Sequence, residues 1–431
     1  MSNTENIAVE GTIPTAVQNT QPNCPEPLTM TMQEQRTRRL TRTATGLLLF
    51  WALVLQDVYA DASEKKPMLT TGHANQVGVN KQRLELAADL VEESIDGGKI
   101  PNAVILVAKD GKIILHEAFG HRDIHRKAPM RTDSLFRMAS NSKALTAAGI
   151  MLLVERGKVN LDQPVGAYLK VFDNEKWKKI TLRHLLTHTS GIRIKPLFLT
   201  PLIQNSASHP TAPDLILEVE RFAAISGQHQ AGKTYSYNNA GYNILAGVIE
   251  KVTGSYKTHL KQHIYNPLGM SDSCNHESDA DHSRMSTISR LQKDGSWTAG
   301  WQPGDAPDWP FPRGSGGMVT SARDFAVFCQ MLLNGGRYGN QQIIQSESIS
   351  EMTNPQNKNC PAAVHYGLGW KVHERGGTFE HSGSDGTYVW VNPKMNLIGM
   401  LLTQSNGTKP PRTEFRKLVE SACIQPDLPR K

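Results

Sequence analysis

Two apolar runs, residues 103–108 and 113–119, flank Lys109-Asp110-Gly111-Lys112. Asp-Gly between two such runs is the strongest short-range signal for a β-hairpin, because both central residues can take positive φ. Strand-like runs return only near the other end of the chain, at residues 366–372, 386–391 and 397–404, with a turn at Asn392-Pro393-Lys394. Between them the pattern is mostly helical and loop-like, over about residues 150–310. An amphipathic helix over 81–96, closed by Gly97-Gly98, precedes the hairpin, and a final helix covers about 413–423. Strands at both ends and helices between them imply an α+β fold: one antiparallel sheet built from both chain ends, flanked by helices, with a mostly helical insertion. The hydrophobic content of 39% suffices for a real core.

The first sixty residues read differently. Residues 1–30 are polar, rich in Pro, Thr and Asn, and carry no apolar period, so disorder is expected. Arg36, Arg38, Arg39 and Arg42 then precede the apolar run 46–55, and small residues follow at Ala60 and Ala62. This is the layout of a signal peptide cleaved near Ala60–Ala62, which predicts a secreted or periplasmic protein. The alternative, a signal anchor, needs about 20 apolar residues, roughly twice this run. Residues 61–80 read as a polar linker and 81–431 as the folded domain. The net charge of +7 comes from scattered residues, so no nucleic-acid partner is indicated. Export leaves Cys274, Cys329, Cys360 and Cys423, which allow three pairings. Cys329 lies among Phe325, Val327, Phe328 and Met331 and is expected as a buried thiol.

Chemistry concentrates at Ser140-Asn141-Ser142-Lys143, at the polar start of a long apolar helix pattern. A Ser and a Lys three apart share one helix face. The positive end of the helix disfavours a second cation, so a partly buried Lys143 should lose its proton more easily than a free lysine and serve as the base that activates Ser140. The four-residue pattern alone is weak, and Ser63-Glu64-Lys65-Lys66 matches it with no apolar helix behind it. Two further segments add to it: Tyr237-Asn238-Asn239, and Phe379-Glu380-His381-Ser382-Gly383-Ser384 on a strand. His184 and His188 lie four apart, but no metal-site motif accompanies them, and no metal or organic cofactor is expected. His188 is read as fixing its loop through a side-chain hydrogen bond. No Gly-x-Ser-x-Gly elbow occurs, which removes the α/β-hydrolase alternative.

In this order, Ser-x-x-Lys, Tyr-x-Asn and His-x-Gly resemble the penicillin-recognising serine hydrolases, within them the class C β-lactamase, D-alanyl-D-alanine carboxypeptidase and esterase branch. Residues 185–191 and 316–324 are similar to that branch as well. The resemblance implies a β-lactamase/transpeptidase-like fold over roughly 85–423. It makes Ser140 the acylated nucleophile, Lys143 its proton partner and Tyr237 the second acid/base group, its phenol pKa depressed by the neighbouring amine. Asn239 would hydrogen-bond Lys143 and the substrate amide. His381, Ser382, Gly383 and Ser384 would line the substrate, with the N–H groups of Ser140 and Ser384 as the oxyanion hole and Gly383 letting the substrate approach the strand. The implied partner is a β-lactam, a D-amino-acid peptide or a small ester, with a non-turnover penicillin-binding sensor as the rival reading. Many relatives carry Lys where His381 stands. A mostly neutral histidine should weaken recognition of a substrate carboxylate, unless Arg313 or another cation supplies the charge.

Overall fold

The computed structural model describes residues 66–424 except 126, 193–205, 209, 211, 225–229, 308, 359, 361–363 and 374–376. The expected disordered N-terminus and signal peptide lie outside the described residues. In chain order the principal elements are α1 (Lys81–Asp96), β1 (Asn102–Lys109), β2 (Lys112–Gly120), α2 (Ser142–Glu155), α3 (Asn239–Thr253), α4 (Ala322–Leu333), β3 (Phe379–Ser382), β4 (Tyr388–Asn392), β5 (Leu397–Leu402) and α5 (Arg412–Ile424). The predicted hairpin is β1–β2, and its turn residues Asp110 and Gly111 have φ of 50° and 76°, both positive as a two-residue turn of this hand requires.

The main sheet runs Thr70–Thr71, β2, β1, β5, β4, β3, Lys371–Val372, His365–Tyr366. The N-terminal hairpin joins the C-terminal strands through β5–β1, with Leu401 opposite Ile105. Pairing is antiparallel except at Thr70–Thr71, which lies parallel to β2. The second half of the expected linker is therefore built into the fold: Thr70 and Thr71 extend the sheet, and Ala74 and Val79 are buried. The strand expected over 366–372 is instead a tight hairpin, because Gly367-Leu368-Gly369 turns the chain and Gly369 sits at φ 83°. Ile288–Leu291 and Trp297–Trp301 form a small second sheet with Ser405–Asn406. The Asp294-Gly295 turn between the first two was its overlooked signal.

Both faces of the main sheet are covered, which is why its strands read as continuous apolar runs rather than as alternating ones. Along β1, Ala103, Ile105 and Val107 point to one core, with Leu84 and Val91 of α1 and Phe415 and Val419 of α5. Val104, Leu106 and Ala108 point to the other, with α2 and α4. Successive side chains on a strand alternate faces, and each large apolar side chain so buried contributes about 1.5–3 kcal/mol. Helix α2 is buried from Ser142 through Leu153, as expected of a helix that is apolar all round. Burying that helix deep in the larger core carries Lys143 in with it.

Candidate active site

Strand residues Phe136 and Arg137 pair with Thr320 and Val319, and the chain then turns through a short 3-10 segment, Ala139–Asn141, into α2. Ser140 therefore sits one turn ahead of the α-helix proper. Ala139 has φ 46°, a conformation costly for an alanine, which persists only where its surroundings enforce it. Here the Ser142 hydroxyl donates to the Ala139 carbonyl at 2.6 Å and accepts from the Met318 N–H at 2.9 Å. On the other side the Thr387 hydroxyl donates to the Met138 carbonyl at 3.0 Å, and Asn141 Nδ2 donates to Thr387 at 2.9 Å. The turn is pinned from two directions.

Lys143 is fully buried, with Nζ 2.9 Å from Ser140 Oγ and donating to the Ser315 carbonyl at 2.8 Å. No carboxylate partners it among the described residues. Burial first, and then the charge of Arg313, hold its pKa well below the usual lysine value. Desolvation is thus the larger cause of the neutral amine expected from the sequence. Ser315 is itself held: its N–H donates to Asn243 Oδ1 at 3.1 Å, and Thr146 donates to the neighbouring Gly314 carbonyl at 2.8 Å.

The phenol of Tyr237 lies beside Ser140, and Lys143 Nζ lies 4.8 Å from the centre of its ring. The residue is 43% exposed overall, so one side of the ring faces the cleft. The expected depression of its pKa is corrected: burial raises it, and the neighbouring Ser140 hydroxyl only partly offsets this. A neutral Lys143 offers no cation to stabilise a phenolate. Asn238 caps α3, its Oδ1 accepting from Ala240 N–H at 2.9 Å and Gly241 N–H at 3.3 Å. That accounts for asparagine at the middle position. Asn239 does not make the expected bond to Lys143; its Oδ1 is buried without a partner, and the Ser315 carbonyl holds the amine instead. His188 does fix its loop, accepting at Nδ1 from the Asn238 N–H at 3.1 Å. His184 likewise accepts at Nδ1, from the Thr181 N–H at 3.2 Å, within a helix cap.

On β3, His381 is 7% exposed and both ring nitrogens are engaged. Nδ1 lies 3.0 Å from the Ser382 carbonyl and must donate to it, so Nε2 accepts from the Tyr366 hydroxyl at 3.0 Å. Burial, with Lys143 adding to it, pulls the His381 pKa down to about 3. Direct substrate contact through the His381 ring is thereby corrected: it is a neutral brace beneath the strand. Gly383 also has a different reason from the one expected. A Cβ there would lie 2.3 Å from Thr387 Oγ1 and 2.6 Å from the Met138 carbonyl, so glycine is needed for β3 to close on the Ser140 turn. Gly383 N–H donates to the Thr387 carbonyl at 2.8 Å and its carbonyl accepts from the Gly386 N–H at 3.2 Å, so Ser384 stands in the turn that leaves β3. On β3, Lys371–Val372 reaches only Phe379 and Glu380, so the described sheet leaves the β3 edge open at Ser382.

A hydroxyl hydrogen-bonded to a buried neutral amine, with a phenol beside them and an open strand edge, are the parts of an acyl-transfer site. The β-lactamase family's sequence profile matches residues 87–423. The chain belongs to the β-lactamase family. This β-lactamase-family serine hydrolase is 36% identical over 173 residues to penicillin-binding protein 4* of Bacillus subtilis strain 168, a stretch covering 40% of this chain and 37% of that protein. Over 406 residues it is 24% identical to a putative D-alanyl-D-alanine carboxypeptidase of Salmonella typhi, covering 84% of this chain and 90% of that one. The solved structure of EstCE1, a hydrolase with promiscuous acyltransferase activity, has the same fold at 21% identity and TM-score 0.66, covering 80% of this chain and 99% of that one.

Within the family fold, sequence reasoning missed the supporting roles of Ser142, inside the first motif, and of Asn243, four residues from Asn239 on α3. It also missed Ser315, Tyr366 and Thr387, which act from distant segments. Cys274, Cys329, Cys360 and Cys423 are all unpaired, with Cys329 fully buried and its thiol pKa pushed well up by burial. No helix among the described residues is long and apolar enough to cross a membrane.

Proposed function

We propose that this β-lactamase-family hydrolase cleaves an amide or ester through an acyl-enzyme on Ser140. The observation that carries the reading is the fully buried Lys143, without a carboxylate partner and 2.9 Å from Ser140 Oγ. Its lone pair takes the Ser140 proton as Oγ attacks the carbonyl carbon. The N–H groups of Ser140 and Ser384 stabilise the oxyanion. Tyr237, protonated because its pKa is raised, delivers a proton to the leaving group, and the Lys143 ammonium restores it. The same groups run in reverse when water attacks the acyl-enzyme.

The substrate type proposed is that of β-lactamases and D-alanyl-D-alanine carboxypeptidases, in keeping with the relatives' names. A small-ester esterase is the second reading, and a specific observation favours it: the third motif presents no cation, since His381 is neutral and braced from within. Export by an N-terminal signal belongs to the same proposal, supported by the pattern of residues 36–62. It predicts a mature N-terminus near Ala60–Ala62, readable by N-terminal sequencing of the secreted or periplasmic protein.

The test is intact-mass labelling with a penicillin and with an activated ester, in the wild type and in Ser140→Ala. A single acyl adduct that disappears in Ser140→Ala is expected, and undiminished hydrolysis by that variant refutes the nucleophile. Rates on nitrocefin, a D-alanyl-D-alanine peptide and p-nitrophenyl butyrate then separate the substrate classes. One product per protein followed by no turnover would mark the non-turnover sensor.

A further inference from the structure

His188 lies behind Tyr237 and plays no part in the chemistry above. It is 1% exposed and holds φ 58°, in the left-handed region. Both neighbours of Tyr237 hang from it. Its carbonyl accepts from the Ser236 N–H at 2.7 Å, and its Nδ1 accepts from the Asn238 N–H at 3.1 Å. Its ring packs on that of Tyr237 with centroids 4.4 Å apart, and Tyr235, Tyr242 and Tyr366 enclose it at 5.9, 5.2 and 4.7 Å.

Because Nδ1 accepts, the ring's one proton resides on Nε2. That atom is buried without a nitrogen or oxygen partner, so it faces the surrounding aromatic rings. A second proton would set an N–H on Nδ1 against the Asn238 N–H and place a charge near Lys143. The titratable groups around the ring are the four tyrosines, Lys143 and His381. None is a carboxylate that would stabilise an imidazolium. Burial, then Lys143 and His381, keep the His188 pKa well below the ordinary histidine value.

We infer that His188 is a positioning residue which, as a neutral ring accepting from Asn238, holds the Tyr237 hydroxyl at Ser140. The inference rests on the reading of Ser140 and Tyr237 given above. Displacement of an acid/base group by about 1 Å can cost on the order of 10² in rate, and the Ser236–Asn238 backbone has its two anchors on this one residue.

The experiment compares His188→Leu, which removes the acceptor, with His188→Asn, whose Oδ1 reaches about where Nδ1 lies. Turnover of one substrate is measured alongside Tm, with Tyr237→Phe as control. His188→Leu should lose about 10²-fold in kcat with KM within about twofold, and His188→Asn should recover about tenfold of that loss. In the Tyr237→Phe background neither substitution should lower kcat further, because the group being positioned is gone. The inference is overturned if His188→Leu keeps kcat within about threefold of wild type, or if His188→Asn is no better than His188→Leu at matched folded fraction. Equal losses in both backgrounds overturn it too. If His188→Leu does not fold, His188→Gln, with its acceptor displaced by one bond, takes its place under the same expectations. A Tyr237→Phe variant with wild-type kcat would instead break the underlying reading of the site, so the two failures are distinguishable.

Discussion

Glu380 and His381 are neighbours on β3, nearly equally buried at 9% and 7%, yet they end in opposite electrostatic states. Glu380 belongs to the α5 side of the sheet. Burial pulls its pKa up, but Lys371 Nζ at 2.9 Å and the Tyr388 hydroxyl at 2.8 Å donate to it and bring it down to about 2. Arg416 adds a further hydrogen bond at 2.7 Å. His381 belongs to the Lys143 side, where burial and Lys143 outweigh the Ser382 carbonyl and the Glu380 carboxylate, leaving the ring neutral. The sheet thus separates a saturated ionic network, which supports structure, from a desolvated pocket in which basic groups are stripped of protons and left reactive.

The largest effect that tests this contrast is Lys143→Met. It should lower kcat/KM by about 10³, on the order of 4 kcal/mol in the barrier, with a stability loss of no more than about 1–2 kcal/mol from the hydrogen bond to the Ser315 carbonyl. A variant that keeps activity, read in a steady-state assay, would break the assignment of reactivity to the Lys143 side. Next comes Glu380→Gln, expected to cost about 2 kcal/mol in urea unfolding while kcat of the folded enzyme stays near wild type. A selective loss of kcat would show that the two sides are coupled.

The acid response sharpens the comparison further. The folded pKa of His381 is depressed from the 6.5 of an unfolded chain to about 3, so the unfolded state takes up more protons in that window. Stability is full above about pH 6.5 and declines as pH falls toward about 3. Glu380 acts only in the lower window, from about 4.5 to about 2. Tm measured against pH should therefore begin to fall before carboxylates titrate, and His381→Gln should flatten the slope between about pH 6.5 and 4.5. An unchanged slope would place the acid-sensitive groups elsewhere. The smallest effect is expected from Asn243→Ala, which frees the Ser315 N–H: about 1 kcal/mol of stability and a rate loss of a few fold. Wild-type kinetics there would mean that Ser315 is held well enough by Lys143 and its own loop.

The sequence by itself determined the elements and the motifs. The 103–119 hairpin, the helices at 81–96 and 413–423 and the last two strands follow from apolar periodicity and turn residues, which act locally. Ser140, Lys143, Tyr237 and the His381-Ser382-Gly383 segment were legible because their order and spacing form a pattern. The electrostatic state of the site was not legible, for it depends on what surrounds each group in three dimensions. Only tertiary packing buries Lys143 away from carboxylates, raises rather than lowers the Tyr237 pKa, and turns His381 inward onto Tyr366. It also gives the Lys143 contact expected of Asn239 to the Ser315 carbonyl, 172 residues along the chain from Lys143. Desolvation and long-range hydrogen bonds are properties of the packed molecule, and no local pattern encodes them.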